Sequence, residues 1–255
     1  MEVIEHVAAI RRDGERLAAA AAGSGLDAPV PSCPGWVTRD LVRHLGGVHR
    51  WATGIVAGRY PQPWKVGLDE VVGAWPSDPE LLGWFRDGHS ALITALAEAE
   101  PDLDCWTFLA APSPLAMWAR RQAHETAVHR VDAELAAADL LEPLPPVFAA
   151  DGIDELLTCF ITRPGGGLKT DPPQNLRVRC ADTAGDWLVR IGPDGVTTTD
   201  GADHAGAAHC EVTGRAADLY LLLWNRQEAE SLTVQGDRRV LELFRDQVRV
   251  RWSRD

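Results

Sequence analysis

The chain has 255 residues, 45% of them hydrophobic and 24% charged, so it can bury a sizeable core and divide into two compact units. Its formal net charge of -12, without a long run of Lys or Arg, argues against nucleic acid or an anionic membrane as a partner. No basic stretch precedes an apolar one near the N-terminus, and no apolar run approaches the roughly 20 residues of a membrane-spanning helix. We therefore expect a soluble, cytoplasmic protein.

Four helices are predicted in the first part of the chain, where apolar residues recur every three or four positions. They lie near residues 2–23, 38–58, 78–99 and 114–139. The connections between them are long and rich in Pro and Gly. This pattern favours an antiparallel four-helix bundle with long connections, a scaffold that builds metal sites from side chains on facing helices.

A proline-rich segment, EPLPPVF at residues 142–148, predicts a domain boundary. We place one domain at residues 1–142 and a second at 149–255. In the second domain we predict α+β structure with a mainly antiparallel sheet. The predicted helices are 150–163, 215–227 and 238–247, and the predicted strands are 175–182, 187–192, 195–200 and 232–237.

The five cysteines are odd in number, far apart and never arranged as C-x-x-C. This spacing fits neither a disulfide framework nor a zinc ribbon. Buried, reduced thiols are the expected state of Cys33, Cys105, Cys159, Cys180 and Cys210.

The fourth helix contains HETAVH, which differs in spacing from the metalloprotease motif H-E-x-x-H. His124 and His129 are five residues apart and diverge by roughly 140° around a helix, whereas Glu125 and His129 are four apart and project together. The usable pair is therefore Glu125 with His129. Their face of the helix comprises Trp118, Gln122, Glu125, His129, Asp132 and Ala136, a stripe whose middle is polar and needs hydrogen-bond partners if it is buried.

The second helix places a histidine on its apolar face. His44 shares the spacing i, i+3, i+4, i+7 with Leu41, Leu45 and Val48. His49 lies roughly 140° away from His44, beside Arg50, and we expect it at the margin of the core or in solvent.

Together, His44, Glu125 and His129 form a candidate three-ligand metal site with one position left open, as in catalytic zinc sites. Asp132, one turn after His129, either orients that ligand or faces the substrate. The competing interpretation is structural, because an inward histidine is commonly a hydrogen-bonded core residue and a Glu/His pair at this spacing is commonly a surface pair.

Two stretches, VPSCPGWVTRDLVRHLGGVHRW and WARRQAHETAVHRVDAE, resemble the mycothiol-dependent maleylpyruvate isomerase family, whose N-terminal domain is a DinB-like four-helix bundle. The resemblance rests on a P-G-W turn before a D-L-V-x-H-L pattern and on a later E-x-x-x-H-x-V-D pattern. It implies that His44, Glu125 and His129 bind zinc and that the fourth position receives water or a thiol cosubstrate, mycothiol.

The C-terminal segments CEVTGRAADLYLLLWNRQ and LTVQGDRRVLELF look like the sterol-carrier-like domain of the same family. The resemblance implies that an Arg after the apolar helix faces the active site, and Arg226 is the matching position. Such an Arg binds a carboxylate of the small-molecule substrate or of mycothiol through paired hydrogen bonds. The alternative is an exposed Arg that the helix dipole favours.

The function that the resemblance implies is isomerisation or S-transfer by a zinc-bound thiolate, and the sequence does not choose between the two. Four tryptophans are candidates for the wall of the binding pocket: Trp36, Trp51, Trp106 and Trp118. We expect Trp36 and Trp118 to contact the cosubstrate, although a tryptophan is more commonly a core residue than a pocket residue. Two other classes stay open: a non-catalytic binding protein with a vestigial or structural metal site, and a metal-dependent hydrolase with Asp132 as the base.

Overall fold

The computed structural model of the chain describes residues 1–202 and 208–248. It divides into two compact units, with the division between Glu142 and Pro143. The first unit is helical and the second combines helices with a sheet, which confirms the predicted fold class. No helix in the described ranges is both long and apolar enough to cross a membrane.

Four long helices and one short helix make up the first unit. They are α1 (Val3–Ser24), α2 (Thr38–Gly58), α3 (Leu68–Val72), α4 (Asp78–Ala97) and α5 (Pro114–Ala136). The four long helices agree with the predicted ones, whereas the single turn of α3 lies in a segment predicted as connection. Around the bundle, α1 packs against α4 and α5, and α2 packs against the same two helices.

Caps define where these helices begin. The Ser113 hydroxyl accepts a hydrogen bond from the backbone N–H of Ala116, and Pro114 follows at the first helical position, which needs no donor. At the start of α2 the backbone N–H of Val37 donates to the carboxylate of Asp40 at 3.0 Å. His44, in the second turn of α2, faces α5 and lies 3.5 Å from Glu125.

The helix α5 is buried on every side. Each residue from Arg121 to Glu134 is buried, including charged ones. Arg130 is fully buried and its Nη1 contacts Glu134 at 2.6 Å, while its Nε lies 3.5 Å from Asp13 of α1. The charge of Arg130 is therefore paired within α5 and with α1, as a buried charge requires.

In its described residues, the second unit has three α-helices and a five-stranded sheet. Its elements are α6 (Pro146–Asp154), a π-helical turn (Glu155–Phe160), β1 (Gln174–Cys180), β2 (Asp186–Gly192), β3 (Gly195–Asp200), β4 (Cys210–Gly214), α7 (Ala216–Leu223), β5 (Thr233–Gly236) and α8 (Arg238–Gln247). The strand order is β3-β2-β1-β4-β5, and only the pairing of β1 with β4 is parallel within the described residues. The sheet is thus mainly antiparallel, as predicted.

Two helices of the second unit differ from the prediction. The helix predicted at 150–163 begins earlier, at Pro146, and changes to π-helical hydrogen bonding after Asp154. The helix predicted at 215–227 ends at Leu223, because Asn225 adopts a left-handed conformation with φ 59° and the N–H of Arg226 bonds back to the carbonyl of Leu221.

All five cysteines are free. Four of them are buried, as expected, and Cys159 is half-buried. Burial raises the pKa of the thiols of Cys105, Cys180 and Cys210, which makes them poor nucleophiles.

Candidate metal centre

Three ligand atoms from α2 and α5 converge in the helical unit. Nε2 of His44 lies 3.5 Å from Oε1 of Glu125, and Nε2 of His129 lies 3.4 Å from the same oxygen. The three atoms lie within 4.8 Å of one another. His129 is fully buried and the side chains of His44 and Glu125 are 10% and 6% exposed. The structure thus brings the three predicted residues together, and their binding of a metal stays a prediction.

The spacing of these atoms suits a zinc ion. Two ligands at about 2.0–2.1 Å from one zinc ion, at a tetrahedral angle, are about 3.4 Å apart. Both nitrogen–oxygen distances match that edge. None of the described residues makes a hydrogen bond to Oε1 of Glu125, although this oxygen is buried. Two imidazole nitrogens and one carboxylate oxygen are also a donor set that zinc prefers.

The other oxygen of Glu125 is held by an arginine. Nη2 of Arg121, one turn earlier on α5, donates to Oε2 of Glu125 at 3.1 Å, and the Arg121 residue is 3% exposed. This pair directs Oε1 toward the two histidines. Sequence reasoning missed Arg121, although its spacing of four from Glu125 was a usable signal.

Asp132 orients His129 from behind. Its Oδ2 accepts a hydrogen bond from Nδ1 of His129 at 2.8 Å, and Asp132 is fully buried. A proton held on Nδ1 leaves the lone pair of Nε2 for a metal, which is the usual arrangement of a carboxylate behind a metal-binding histidine. Of the two roles predicted for Asp132, orientation of the ligand is the one this contact supports.

Two further contacts to Asp132 come from the loop before α2. The Ser32 hydroxyl donates to Oδ1 of Asp132 at 2.5 Å, and Sγ of Cys33 lies 3.5 Å from Oδ2. Neither residue was a candidate in the sequence, because a loop residue 100 positions away along the chain carries no periodic signal.

The electrostatics of the group are set by burial and by charge pairing. Burial works to raise the pKa of Glu125, but the contacts with His129, His44 and Arg121 outweigh it and hold the pKa well below its usual range. Burial lowers the pKa of His44. For His129, burial is outweighed by Asp132 and Glu125, so its pKa is raised. The carboxylate is therefore ionised and ready to bind a cation.

Aromatic rings flank this group, Trp36 from the loop before α2 and Trp51 from α2 itself. The Trp36 ring packs edge-on against His44 with 5.2 Å between centroids. Along α2, His44, Val48 and Trp51 form one strip of half-buried residues, whereas Leu45 beside them is fully buried. Residues of the strip keep part of their surface exposed, whereas the three candidate ligand atoms are buried.

Trp51 belongs to a four-ring cluster. Its ring lies 5.2 Å from that of Trp118, and Nε1 of Trp118 donates to the carbonyl of Trp106 at 2.9 Å. Phe108 completes the cluster. Trp118 is fully buried, while the other three rings are half-buried. Gln122 lies between Trp118 and Glu125 on the same face of α5. Its amide is buried, and no described residue hydrogen-bonds to its Oε1.

The prediction that His49 lies at the margin of the core or in solvent is wrong. This residue is fully buried, its Nε2 lies 3.0 Å from Oγ1 of Thr126, and its ring faces Phe85 and His89 of α4. The helix α2 packs against α4 as well as α5, so both of its sides are covered. The prediction overlooked the second side, where Val42, Ala52 and Val56 lie at helical spacing from His49.

Two other residues discussed in the sequence analysis, His124 and Arg226, are not part of the group of three candidate ligands. His124 is buried on α5 and is not one of the three convergent residues, as the helical geometry predicted. Arg226 lies in the second unit after α7, half-buried, with its Nη1 donating to the carbonyl of Trp224 at 2.7 Å. A role of Arg226 in binding a carboxylate stays a prediction.

Models of both domains of one family match the chain. The model described as the mycothiol maleylpyruvate isomerase N-terminal domain matches residues 7–134, and the MDMPI C-terminal domain matches residues 148–243. No curated protein sequence matches.

Two solved structures have a similar fold. One is a mycothiol-dependent maleylpyruvate isomerase, with 15% identity, a TM-score of 0.63, and coverage of 92% of this chain and 93% of that chain. The second is a histidine-to-alanine mutant of a mycothiol-dependent maleylpyruvate isomerase, with 12% identity, a TM-score of 0.62 and coverage of 92% and 93%. At these identities the likeness establishes the fold alone.

Proposed function

Because this chain belongs to the mycothiol maleylpyruvate isomerase family, we propose that it is a zinc-dependent enzyme that uses mycothiol as the nucleophile on a small electrophilic substrate. The observation that carries the proposal is the convergence of His44, Glu125 and His129 within 4.8 Å. Three protein ligands leave a fourth position for the thiol, as in catalytic zinc sites. The free cysteines and the thiol cosubstrate both suit a reducing cytoplasm.

Residues of α2 and α5 would hold the metal and orient its ligands. His44, Glu125 and His129 would bind the zinc ion, and Asp132 keeps the proton of His129 on Nδ1. A bound zinc ion lowers the pKa of a coordinated thiol, so that the thiol is present as the nucleophilic thiolate at neutral pH. Arg121 keeps one carboxylate oxygen of Glu125 occupied, so that the other faces the two histidines.

The half-buried strip along α2 is the proposed binding surface. Trp36 packs beside His44, and Trp118 supports the more exposed rings of Trp51 and Trp106 from behind. The buried amide of Gln122 is positioned to accept a hydrogen bond from an N–H or O–H group of the bound molecule, because leaving such an amide unsatisfied costs free energy. Arg226 is proposed to bind a carboxylate.

The proposed chemistry is addition of the thiolate to a carbon–carbon double bond conjugated to a carbonyl. The sulfur–carbon bond forms at the carbon farther from the carbonyl, the π pair of the double bond shifts to the bond next to the carbonyl carbon, and the carbonyl π pair moves onto oxygen to give an enolate. Rotation about the resulting single bond, followed by return of the electrons and expulsion of the thiolate, gives cis-trans isomerisation with the thiol unchanged. If the adduct instead takes up a proton and is released, the result is S-transfer. Both outcomes stay within the proposal.

A hydrolase is less well supported. Water activated at the metal would need a base near the open position, and Asp132 was the candidate. Asp132 is fully buried and already accepts hydrogen bonds from His129 and Ser32. A carboxylate held in this way orients its partners and is poorly placed to remove a proton from water.

Metal analysis and thiol dependence test the proposal together. We expect about one zinc ion per chain in the wild type and a loss of zinc in His44→Ala and His129→Ala. The control is His209→Ala, which changes an exposed histidine of the second unit and should keep its zinc. With maleylpyruvate as the probe, isomerisation should require both zinc and mycothiol. Equal zinc content in all four proteins, or turnover without any thiol, would contradict the proposal.

A further inference from the structure

The loop between α1 and α2 is a closed, internally bonded structure. Pro29 and Val37 form a β-bridge at its two ends. Inside it, the N–H of Val30 bonds to the carbonyl of Trp36 and the N–H of Cys33 bonds to the carbonyl of Val30, both at 3.0 Å. We call residues 29–37 the bracing loop. Because its backbone is held at both ends and within, its side chains are presented in fixed positions.

This loop contacts both histidines of the candidate metal centre, one directly and one through Asp132. The Trp36 ring packs edge-on against the His44 ring at 5.2 Å. On the other side, Ser32 donates to Oδ1 of Asp132, whose Oδ2 accepts from Nδ1 of His129. Imidazoles from two different helices are thus held by one short loop.

The hydrogen bond from Ser32 has a specific geometric effect. Rotation about the terminal bond of an aspartate side chain has a broad energy profile, so a carboxylate held through one oxygen can still turn. Oδ2 is held by His129 at 2.8 Å and by Sγ of Cys33 at 3.5 Å. The bond to Oδ1 fixes the second oxygen, and with it the plane of the carboxylate and the direction of the His129 ring.

We propose that Ser32 is a positioning residue of the metal centre, which acts on the metal through Asp132 and His129. The inference rests on the proposed function, because it assumes that His129 is a ligand. Ser32 does not touch the metal position itself. Its removal leaves all three ligands in the chain but takes away the hydrogen bond to Oδ1 of Asp132, the carboxylate behind one of them, and groups that orient metal ligands in this way contribute to metal affinity.

The test compares Ser32→Ala with Ser32→Thr, which restores a hydroxyl, and with Ser24→Ala as a matched control. Ser24 is a hydrogen-bonded serine at the end of α1 that makes no contact with Asp132 among the described residues. We expect the dissociation constant for zinc, measured by competition with a chromophoric chelator, to rise about tenfold in Ser32→Ala. Ser32→Thr should recover most of the affinity, and Ser24→Ala should match the wild type.

A second measurement separates positioning from simple stabilisation of the loop. In the cobalt-substituted protein, Ser32→Ala should change the energies of the visible absorption bands, which report ligand geometry, while Ser24→Ala leaves them unchanged. Unfolding of the metal-free protein in denaturant gives the stability of each variant independently. A lower unfolding free energy for Ser32→Ala with unchanged zinc affinity and cobalt spectrum would overturn the inference.

The outcomes also distinguish this inference from the proposed function. If the wild type binds no zinc, the proposed function fails and the inference fails with it. If the wild type binds zinc and all three serine variants bind it equally, only the positioning role of Ser32 is refuted.

Discussion

Two buried histidines, His49 and His89, should make the fold sensitive to acid. The Thr126 hydroxyl donates to the carbonyl of Gln122 at 2.7 Å, so it accepts from Nε2 of His49 at 3.0 Å. Nε2 of His89 lies 2.9 Å from the carbonyl of Ile10 and must donate to it. Both rings therefore carry their single proton on Nε2 and fit the core in the neutral form.

Burial is the main cause that lowers the pKa of both residues. For His49 the pKa lies well below the ordinary value of 6.5, and the neighbouring His89, with 5.7 Å between ring centroids, lowers it further. For His89, burial outweighs the backbone hydrogen bond to Ile10, which acts in the opposite direction. In the unfolded chain both bind a proton near pH 6.5. The stability that the neutral rings contribute is therefore fully present above pH 6.5 and is lost as the pH falls below it.

The size of the change in unfolding free energy with pH follows from proton linkage. Each histidine that is protonated in the unfolded chain and neutral in the fold lowers the free energy of unfolding by about 1.4 kcal/mol per pH unit, so the two together contribute about 2.7 kcal/mol per unit. This slope applies from below pH 6.5 down to the pH at which the folded protein takes up the protons. Residues with raised pKa, such as His129, contribute in the opposite sense, so the contribution of each residue must be isolated by substitution.

The assay is denaturant unfolding at several pH values between 5 and 8, with metal removed, for the wild type, His49→Gln and His89→Gln. A glutamine amide can still donate to the same acceptor but does not titrate. We expect the slope below pH 6.5 to fall in each variant, by at most about 1.4 kcal/mol per pH unit and more in His49→Gln than in His89→Gln. Identical slopes in the wild type and both variants would refute the neutral, buried state of these rings.

Three further substitutions test other contacts. Arg121→Met should weaken zinc binding about tenfold, because Oε2 of Glu125 loses its donor; unchanged affinity in a chelator competition would contradict this role. Gln122→Leu should raise KM for mycothiol or substrate about fivefold without changing zinc content, since one hydrogen bond is lost; an unchanged KM would exclude that contact. Arg130→Met should lower the free energy of unfolding by about 1–3 kcal/mol, because Asp13 and Glu134 lose a fully buried partner and keep the partly exposed Arg12 and Arg16 as charged partners. A loss below about 1 kcal/mol in denaturant unfolding would show that the two carboxylates are neutralised in another way.

Elements with strong periodicity and clear end signals could be predicted from the sequence. The helices α1, α2, α4 and α5 begin and end within three residues of their predicted bounds, and α8 covers the predicted 238–247. The single turn of α3 and the change to π-helical bonding after Asp154 had no such signal. Both depend on packing that short windows of sequence do not record.

The ligand group could be predicted because its signal is local. Glu125 and His129 share a helix face through their spacing of four, and His44 shares a spacing with leucines that proved fully buried. The same reasoning failed for His49 because it considered only one side of α2. Buried apolar residues lie at helical spacing on the side of His49 as well: Val42, Leu45, Ala52 and Val56. A helix in a bundle contacts two neighbours, and the second contact covers residues that look like a margin in the sequence.

The contacts that orient the ligands could not be predicted, and the reason is physical. A polar residue at a buried position of α5 needs a partner, so the sequence shows that Asp132 must be satisfied, but it does not identify the group that satisfies it. That group includes Ser32, which is 100 positions away and lies in a loop where side-chain direction follows no period. A chain with the same helix spacing and a different bracing loop would keep the three ligands and lose the restraint on His129. The helix pattern therefore determines which residues meet, and the loop determines how they are oriented when they do.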